Sequence, residues 1–517
     1  MRRREFLAGM SAVAAAQGAP TPLRDLPIPP GLGSRMLFLD RSNLREQFGA
    51  SLVPAPVDKL GVVMGPASPG DATDAHSAMG CGLFRAGDAY RLYYSGITKE
   101  APVFGVCVAE SNDLLHWTRP SLGQVRVNGA DTNRIRIEGL PGDAPVTQPS
   151  VVPLPRGGHR MYFWLHQREP VRRFRYLAAD SEDGIRWRCV NAENPCLVHP
   201  HDIGKWPWLD PAEAREQRRA GNAEDRLRIR SNDATHTYAM PGGGFEMFTV
   251  FPVLNTPATG RYVTHDNAPF MLRVMVRRTS EEGLRFSDPE FIVVPDARDP
   301  WDQQFYYLTQ HRFGDFRLGF LGHYRVHDQS MDIELAYSHD GRRWERPMRG
   351  AWIPRGPKGE SDSGMVYMPN HLVDRGDHWL ALYTGSAGLH NEAQRGKRGV
   401  HAAKIPRFRF AGLSANASLT ARAMTKPFFL NGTEIRLDAS VQPRGGVLRA
   451  ELCGALGQPL KGFTFADSTP VTGDNQSHPL RWQGGSLDDY RLHPVSMRLE
   501  WTGGIVYGLD VAAGAVA

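Results

Sequence analysis

The chain has 517 residues, which is too long for one ordinary core and suits two or three domains of roughly 100 to 200 residues each. Hydrophobic residues make up 41% and charged residues 22%, close to the averages for soluble globular proteins, so neither a disordered chain nor a membrane bundle fits. The 54 Gly and 39 Pro are spread along the chain, which predicts many tight turns between short strands and a mostly β protein.

The net charge of +6 does not indicate a nucleic-acid partner. Only 8 of the 61 basic residues are Lys, and the Arg residues are dispersed among 55 acids without a long basic run. Nucleic-acid binding usually needs a clustered basic surface. We therefore expect no nucleic-acid partner.

The first 20 residues have the layout of an export signal. Residues 3–7 (RREFL) precede a small-residue apolar run that ends in Ala14-Ala15-Ala16, which gives a charged, an apolar and a cleavable region. Residues 3–7 also resemble the twin-arginine motif, which implies the twin-arginine translocase as the partner during export. The apolar run is too short to span a bilayer, and no later stretch approaches 18 apolar residues. We expect residues 1–20 to be a signal and the protein to be periplasmic or secreted, without a membrane span.

One nine-residue pattern recurs along the chain. It consists of a strand that ends in Ser or Thr, an acidic turn, and an aromatic residue that opens the next strand. The four copies are residues 109–117, 179–187, 278–286 and 336–344. Asp-Gly in such a turn supplies the positive φ of a tight hairpin, and the aromatic residue anchors the returning strand. Each copy therefore predicts one β-hairpin unit.

A second shared element, two apolar strands around a short turn, precedes each copy and recurs at 376–385. Five units spaced by about 60 to 90 residues predict a five-bladed β-propeller over residues 36–413. The strand around Leu37–Leu39 is expected to complete a blade built mainly by the other end of the propeller. Residues 203–232, rich in Arg, Glu and Ala, are predicted to be a short solvated helix inserted between the second and third units. Alternating stretches over 414–517 predict a C-terminal β-sandwich, so the fold class is all-β.

The cysteines and glycines give no sign of a cofactor. The five Cys are an odd number without a C-x-x-C pair, so they support neither a zinc site nor a disulfide framework. Cys189 and Cys196 could pair, although buried free thiols are the commoner situation. Gly242–Gly244 is predicted to be a hairpin turn, because it lacks the strand-to-helix context of a phosphate loop.

These features together resemble the five-bladed-propeller glycoside hydrolases of family 32 and family 43, with the C-terminal sandwich of family 32. A bacterial branch of this superfamily is closer still, since it shares the Leu-Phe-Leu-Asp strand at 37–40 and the Asp-Ser-Gly-Met entry at 362–365. It also shares sandwich signatures at 446–452, 462–463 and 506–508. The resemblance implies a hydrolase for furanosides or related glycans, with carboxylates that project from the innermost strands into a central funnel.

Family 32 motifs that carry catalytic roles are absent. The chain has neither the Trp-Met-Asn-Asp-Pro nucleophile motif nor the Glu-Cys acid motif. Arg298-Asp299-Pro300 does occur, but in the fourth unit, where it is also explained by an Asp-Pro turn that opens a strand. No role can therefore be carried over residue by residue.

Candidate site residues follow from the chemistry of glycosidic cleavage. One carboxylic acid must protonate the leaving oxygen, and one carboxylate must attack or activate water. Every predicted strand entry contains an acid, and the candidate catalytic residues are Asp74, Asp143, Asp233, Asp302, Glu360 and Asp362. Candidate substrate-binding residues, including aromatic walls for sugar stacking, are His76, Gln148, His236, Arg298, Trp301, Tyr306 and Tyr307. We expect the acids to converge on one mouth, with Asp74 as nucleophile or base and Glu360 as the weaker choice for the acid.

Two functions stay open at this level. The first is a glycoside hydrolase, and the second is a non-catalytic glycan-binding propeller protein whose acids bind hydroxyls or calcium. A Glu with a raised pKa near the funnel would favour the enzyme, because a general acid must hold its proton, and Glu360 and Glu246 are the candidates. Both functions imply a carbohydrate as substrate or ligand. No cofactor is required, but calcium could be held if His76, His236 and Asp302 meet at the axis.

Overall fold

The computed structural model describes residues 34–65, 75–77, 82–97, 104–127, 129–167, 173–199, 234–254, 265–266, 271–314, 316–367, 369, 371–392, 398–430 and 432–513. Over these residues the protein is all-β, with one short 3-10 helix at Leu487–Tyr490 and no α-helix. The predicted signal and the predicted insertion at 203–232 lie outside them. Within the described part, no helix is long and apolar enough to cross a membrane. The chain divides into two compact units, residues 51–414 and, in the described part, residues 34–50 with 415–513.

The larger unit contains five antiparallel groups of strands in chain order. The first group comprises Ala75–Ser77, Leu83–Ala86, Ala89–Ile97 and Phe104–Ser111. The second comprises Val146–Pro153, His159–Gln167, Arg173–Ser181 and Trp187–Cys189, with the short strands Ile137–Glu138 and Leu197–Val198 beside them. The third comprises Thr235–Ala239, Phe245–Leu254, Met271–Ser280 and Glu290–Val293. A further two-stranded ribbon is formed by Arg126–Val127 and Ala130–Asp131.

The fourth and fifth groups complete this unit. The fourth comprises Gln303–Phe313, Phe316–Arg325, Ser330–Ser338 and Ala351–Ile353. The fifth comprises Met365–Tyr367, His378–Ser386, Arg398–Pro406 and the N-terminal strand Asp58–Met64, with Val373–Asp374 beside them. Asp58–Met64 pairs antiparallel with Arg398–Pro406, so the last group is closed by a strand from the other end of the chain.

The five groups follow one another in a closed order. The second, third and fourth groups each place their first strand against the preceding group. Val146–Pro153 lies against the first group, Thr235–Ala239 against the second, and Gln303–Phe313 against the third. Met365–Tyr367 of the fifth group pairs parallel with the fourth, and Arg398–Pro406 lies next to Ala75–Ser77 of the first. Apolar cores fill the spaces between the fifth and first, first and second, and second and third groups. A propeller of five blades would give this order, and the blade count itself stays a prediction.

The repeated nine-residue pattern forms a hydrogen-bonded turn. In the second copy, Ser181 Oγ accepts the amide N–H of Gly184 at 2.9 Å. Asp183 Oδ1 accepts the N–H groups two and three residues further on at 2.8 Å each, and Trp187 Nε1–H donates to the Gly184 carbonyl at 3.1 Å. The first and fourth copies repeat all of these bonds. Gly184 has φ 72°, which explains the Gly of the pattern.

An Arg-x-Tyr triplet on the second strand of one group binds the turn of the next. Arg160 Nη1–H donates to the Glu282 carbonyl at 2.6 Å, and the Tyr162 hydroxyl donates to the Gly283 carbonyl at 2.8 Å. Residues 91–93 of the first group bind the turn of the second group in the same way. The turns therefore join neighbouring groups as well as closing their own hairpins.

We expect Tyr162→Phe to lower the free energy of unfolding by about 1 kcal/mol, because a buried carbonyl loses its hydrogen-bond donor. Urea unfolding monitored by tryptophan fluorescence measures this change. Tyr490→Phe, in the smaller unit and only half-buried, serves as the control and should have little effect. Equal stability of the Tyr162→Phe variant and the parent would contradict a linking role for the triplet.

The smaller unit contains two antiparallel sheets. One is formed by Arg35–Leu37, Gly504–Ala513, Glu434–Val441 and Gly473–Pro479. The other is formed by Leu44–Phe48, Ala421–Thr425, Pro494–Thr502, Val447–Gly454 and Phe428–Phe429. Ala50–Pro54 and Ala411–Ala415 are hydrogen-bonded neighbours, and the division between the two units falls within both strands.

One prediction from the sequence is wrong at this level. The strand at Arg35–Leu37 does not close the fifth group, because it pairs with Gly504–Ala513 of the smaller unit, and Asp58–Met64 closes the fifth group instead. Both strands are short and N-terminal, so their position in the sequence could not separate the two roles. Cys189 and Cys196 are free thiols, the commoner of the two situations that the sequence left open.

Candidate functional site

Three candidate residues lie outside the part of the chain that can be described in full. Asp74 and Asp233 fall outside the described residues. The backbone of His76 is described, in the strand Ala75–Ser77, but its side chain is not. Their assignments stay predictions from the sequence.

Three further candidates are exposed in turns. Asp143 lies in the turn before Val146–Pro153, and Arg298 lies in the turn before Gln303–Phe313. Glu360 lies in a turn in which its amide N–H donates to the Pro357 carbonyl at 3.0 Å.

Gln148, His236 and Tyr307 lie on the first strands of the second, third and fourth groups, and all three are buried. Gln148 has φ 57° at a register shift in its strand, and its amide N–H donates to Ser95 Oγ at 2.7 Å. Burial lowers the pKa of His236 to about 3, so this imidazole is neutral near pH 7. The Tyr307 ring lies against Gly322, where even a Cβ would approach it to 2.6 Å. Tyr307 is therefore packed in the interior and is not the sugar-stacking wall that the sequence predicted.

Asp302 opens the fourth group and is the first of two candidate acids that are buried and ion-paired. Its Oδ1 accepts hydrogen bonds from Arg325 at 2.6 and 2.9 Å, and its Oδ2 accepts the amide N–H of His327 at 3.2 Å. Trp301, next to it, is 51% exposed, and its ring centroid lies 5.7 Å from that of His327. The entry of this group thus combines a buried carboxylate, paired with Arg325, with an accessible aromatic face.

A buried polar network lies behind this entry and was not predicted. Tyr306 Oη lies 3.0 Å from His390 Nε2, and His390 Nδ1 lies 3.2 Å from Tyr324 Oη. The Tyr324 hydroxyl donates to Asp266 Oδ1 at 2.9 Å, and Asp266 Oδ2 accepts from Arg273 at 3.0 Å. The Arg273 guanidinium also lies 5.2 and 5.3 Å from the ring centroids of the two tyrosines. Tyr306 is therefore a predicted residue that the structure places in a network of titratable groups.

This network is continuous with the aromatic face at the entry. The ring Nε2–H of His265, the neighbour of Asp266, donates to the His327 carbonyl at 2.8 Å, and the centroids of the two imidazole rings lie 5.5 Å apart. Burial lowers the pKa of His390 to about 3, with Arg273 acting in the same direction, so His390 is neutral near pH 7. A sequence signal for the network existed in His265-Asp266, but it lay in no predicted strand entry.

Asp362 is the second buried candidate acid, next to the start of the fifth group. Its Oδ2 lies 2.5 Å from Lys59 Nζ and accepts the Tyr383 hydroxyl at 3.2 Å. The ring of His401 stacks on Tyr383 with centroids 5.3 Å apart, and its Nε2 lies 2.8 Å from Ser361 Oγ. Lys59 lies on the closing strand Asp58–Met64, so the N-terminal strand also supplies the cation that pairs with Asp362.

The prediction that Glu246 is a candidate general acid is wrong. Burial alone would raise the pKa of Glu246, but the neighbouring guanidinium groups lower it. The largest lowering comes from Arg317, whose Nη1 lies 2.7 Å from both carboxylate oxygens. Arg277 and Arg312 lie 3.1 and 3.3 Å from the same carboxylate. A carboxylate enclosed by three guanidinium groups does not hold a proton near neutral pH.

Burial does raise the pKa of Glu334, but this residue lies on the third strand of the fourth group and binds Arg346. Asp299 of the Arg-Asp-Pro triplet binds the same Arg346, and its Oδ2 accepts the Asp296 amide N–H at 2.9 Å. The triplet is therefore a turn tied to an ion-pair network, as the alternative interpretation of the sequence proposed.

Among the described residues, no three His, Cys, Asp or Glu side chains come close enough together to hold a metal ion.

No family model and no curated protein matches the chain. Among solved structures it is similar to a glycoside hydrolase at 13% identity and a TM-score of 0.46, over 67% of this chain and 92% of the other. It is similar to a thermostable family-43 glycoside hydrolase at 12% identity and a TM-score of 0.40, over 62% and 87%. The catalytic domain of the Coprinopsis cinerea GH62 α-L-arabinofuranosidase gives 10% identity and a TM-score of 0.42, over 68% and 97%. Such distant likenesses assign neither site nor substrate.

Proposed function

We propose that the protein is a periplasmic or secreted glycoside hydrolase that cleaves a furanoside or a related glycan. The observation that carries the proposal is the entry of the fourth group, where the half-exposed Trp301 lies beside the buried, ion-paired Asp302 and in contact with His327. Sugars present a flat apolar face and a ring of hydroxyls, so an aromatic surface next to hydrogen-bonding groups suits them.

The carboxylates supply the charge that this chemistry needs. Asp302 and Asp362 are each held by a cation, Arg325 and Lys59, so both suit attack, water activation or stabilisation of an oxocarbenium-like transition state. Asp74 stays the choice from the sequence for nucleophile or base.

We expect purified protein without its first 20 residues to release sugar from at least one member of a panel of aryl furanosides, aryl pyranosides and plant or bacterial polysaccharides. Trp301→Ala should weaken binding of that sugar about tenfold, since one aromatic contact is worth roughly 0.5 to 1.5 kcal/mol. Calorimetric titration with the sugar measures the affinity. Phe429→Ala, an aromatic residue of the smaller unit that is 63% exposed, is the matched control and should bind like the parent.

The same experiment separates the enzyme from a glycan-binding protein. Binding that Trp301→Ala weakens, with no product from any substrate of the panel, would favour the non-catalytic alternative. Neither binding nor product would contradict both.

A further inference from the structure

We propose that Ser361 is an activated nucleophile and that the chain has a second activity, the hydrolysis of carboxylic esters. The basis is a pair of side chains that the proposed glycosidase does not use. Ser361 Oγ lies 2.8 Å from Nε2 of His401. Ser361 is exposed in the turn before Met365–Tyr367, so a substrate can reach its hydroxyl from solvent, whereas His401 is buried. An accessible hydroxyl within hydrogen-bond distance of an imidazole is the arrangement of nucleophile and general base in acyl transfer.

The hydrogen bonds of His401 fix the tautomer that a base for Ser361 requires. Nδ1 lies 3.1 Å from the carbonyl oxygen of Gly399, which can only accept, so Nδ1 carries the proton. Burial lowers the pKa of His401, so the imidazole is neutral near pH 7 and has only one N–H group. Nε2 is therefore without a proton and accepts the hydroxyl of Ser361. The Gly399 carbonyl orients the base, as the third member of a catalytic triad does.

The imidazole of His401 is held in place by the strand beside it. His401 lies directly opposite Tyr383 of His378–Ser386, and the two rings stack with centroids 5.3 Å apart. Gly385 on the same strand leaves room for the imidazole, since a Cβ at that position would approach its Nδ1 to 2.6 Å. The ring therefore has little freedom to turn away from Ser361, as a preorganised base requires.

The turn that carries the nucleophile is anchored at the next residue. Asp362 is buried, and its Oδ2 lies 2.5 Å from Lys59 Nζ and accepts the hydroxyl of Tyr383 at 3.2 Å. Because Tyr383 binds Asp362 and also stacks on His401, it joins the turn to the base. Ser361 is thereby held beside its base while its hydroxyl stays open to solvent.

The reaction is an acyl transfer with water as the only co-reactant. Ser361 Oγ bonds to the carbonyl carbon of the ester while its proton passes to His401 Nε2. The C–O bond to the alcohol then breaks, and Nε2 gives that proton to the alcohol oxygen, which leaves an acyl-serine. Water attacks the acyl carbon and gives a proton to Nε2, the bond to Oγ breaks, and Oγ takes the proton back. One imidazole is sufficient, because the attacking and leaving oxygens are bound to the same tetrahedral carbon in the intermediate.

The exposure of Ser361 indicates which esters can react. An alcohol of any size, including a polysaccharide, can remain in solvent while its acyl group reaches Oγ. Water can hydrate the oxyanion at such a site, and hydration stabilises it less than preorganised donors would, so we expect a slow esterase for small acyl groups. We infer that the natural esters are acylated hydroxyls of a glycan, and this part of the inference rests on the proposed function.

An organophosphorus fluoride tests the nucleophile directly, because it modifies serine hydroxyls that a neighbouring base activates. The purified protein is incubated with diisopropyl fluorophosphate near neutral pH, digested and analysed by mass spectrometry. We expect the adduct on Ser361. Ser361→Ala should lose the adduct, and Ser363→Ala, in the same turn, is the matched control that should keep it. Wild-type protein without an adduct on Ser361 would overturn the proposal.

The second measurement is the release of p-nitrophenol from p-nitrophenyl acetate. We expect Ser361→Ala and His401→Gln each to lower kcat/KM at least about 100-fold, since nucleophile and base act as a unit. Ser361 is exposed, so its variant should keep the urea midpoint of the parent, and this variant decides the question if His401→Gln does not fold. Activity of Ser361→Ala above a tenth of the parent's would overturn the proposal.

A chemically acetylated polysaccharide tests the class of natural ester. We expect the parent to release acetate from it and Ser361→Ala to release none. Hydrolysis of p-nitrophenyl acetate without release of acetate from the polysaccharide would overturn the glycan-ester assignment. None of these measurements detects glycoside cleavage, so their failure leaves the proposed glycosidase intact, and a protein that cleaves esters but no glycoside would retain the second activity alone.

Discussion

Replacement of Arg346 by Met is expected to destabilise the larger unit by about 3 to 5 kcal/mol, since removal of one partner from a buried ion pair leaves a charge uncompensated. The Arg346 guanidinium binds both carboxylate oxygens of Glu334 at 2.8 and 2.9 Å and both of Asp299 at 2.7 and 2.9 Å. All three side chains are at most 4% exposed. Arg349 would still hold Asp299, but Glu334 would have lost its cation.

Urea unfolding at pH 7 measures the effect. Arg343→Met removes an ion pair with Glu345 that is mostly exposed, so it should cost less than about 1 kcal/mol and serves as the matched control. Adding Glu334→Gln to Arg346→Met should restore part of the stability, because it removes the stranded charge. Equal losses for the two Arg variants would show that the buried network contributes no more than a surface pair.

Mild acid is expected to destabilise the protein strongly, through four enclosed histidines. Burial lowers the pKa of His236, His311 and His390 to about 3 and that of His323 to about 4, from an ordinary value of 6.5. Below pH 6.5 these histidines bind protons in the unfolded chain but stay neutral in the folded chain. The free energy of unfolding therefore falls as the pH drops from 6.5 towards 4. Each histidine contributes up to about 1.4 kcal/mol per pH unit in that window.

The free energy of unfolding, measured in urea at half-unit steps between pH 7 and pH 4.5, tests this expectation. Its slope against pH gives the number of protons taken up on unfolding. His311→Gln should reduce the slope by about one proton. A flat profile between pH 6.5 and 5 would contradict the assignment of neutral, enclosed histidines.

The strand groups could be predicted from the sequence because their signal is local. The second turn, for example, is closed by hydrogen bonds among Ser181, Asp183, Gly184 and Trp187. These bonds span seven residues, so the pattern is visible in a short stretch of sequence. The closing strand could not be predicted in the same way. The strands Arg35–Leu37 and Asp58–Met64 are both short and N-terminal, and only pairing partners more than 300 residues away separate them.

The candidate site was predictable only where a strand entry marked it. The search for acidic and aromatic residues just before each predicted strand found Trp301, Asp302 and Asp362. In the structure both of these acids are buried beside cations. The assignment of Glu246 as a general acid was wrong because three arginines distant in sequence enclose its carboxylate. The spacing of residues along the sequence does not indicate such neighbours. The role of His390 in the polar network could not be predicted for the same reason, since its partners Tyr306 and Tyr324 lie on another group of strands.

The closing strand Asp58–Met64 has a consequence for the order of events in the cell. It is made early, yet its partner Arg398–Pro406 leaves the ribosome only after nearly all of the larger unit has been synthesised. The strand must therefore wait unpaired during translation, and the fifth group, including the Lys59 contact to Asp362, can be completed only on a finished chain. Threading through a narrow translocon would undo such a ring and require it to close again outside. A route that carries proteins already folded, as the twin-arginine motif at residues 3–7 predicts, would spare the chain that second closure.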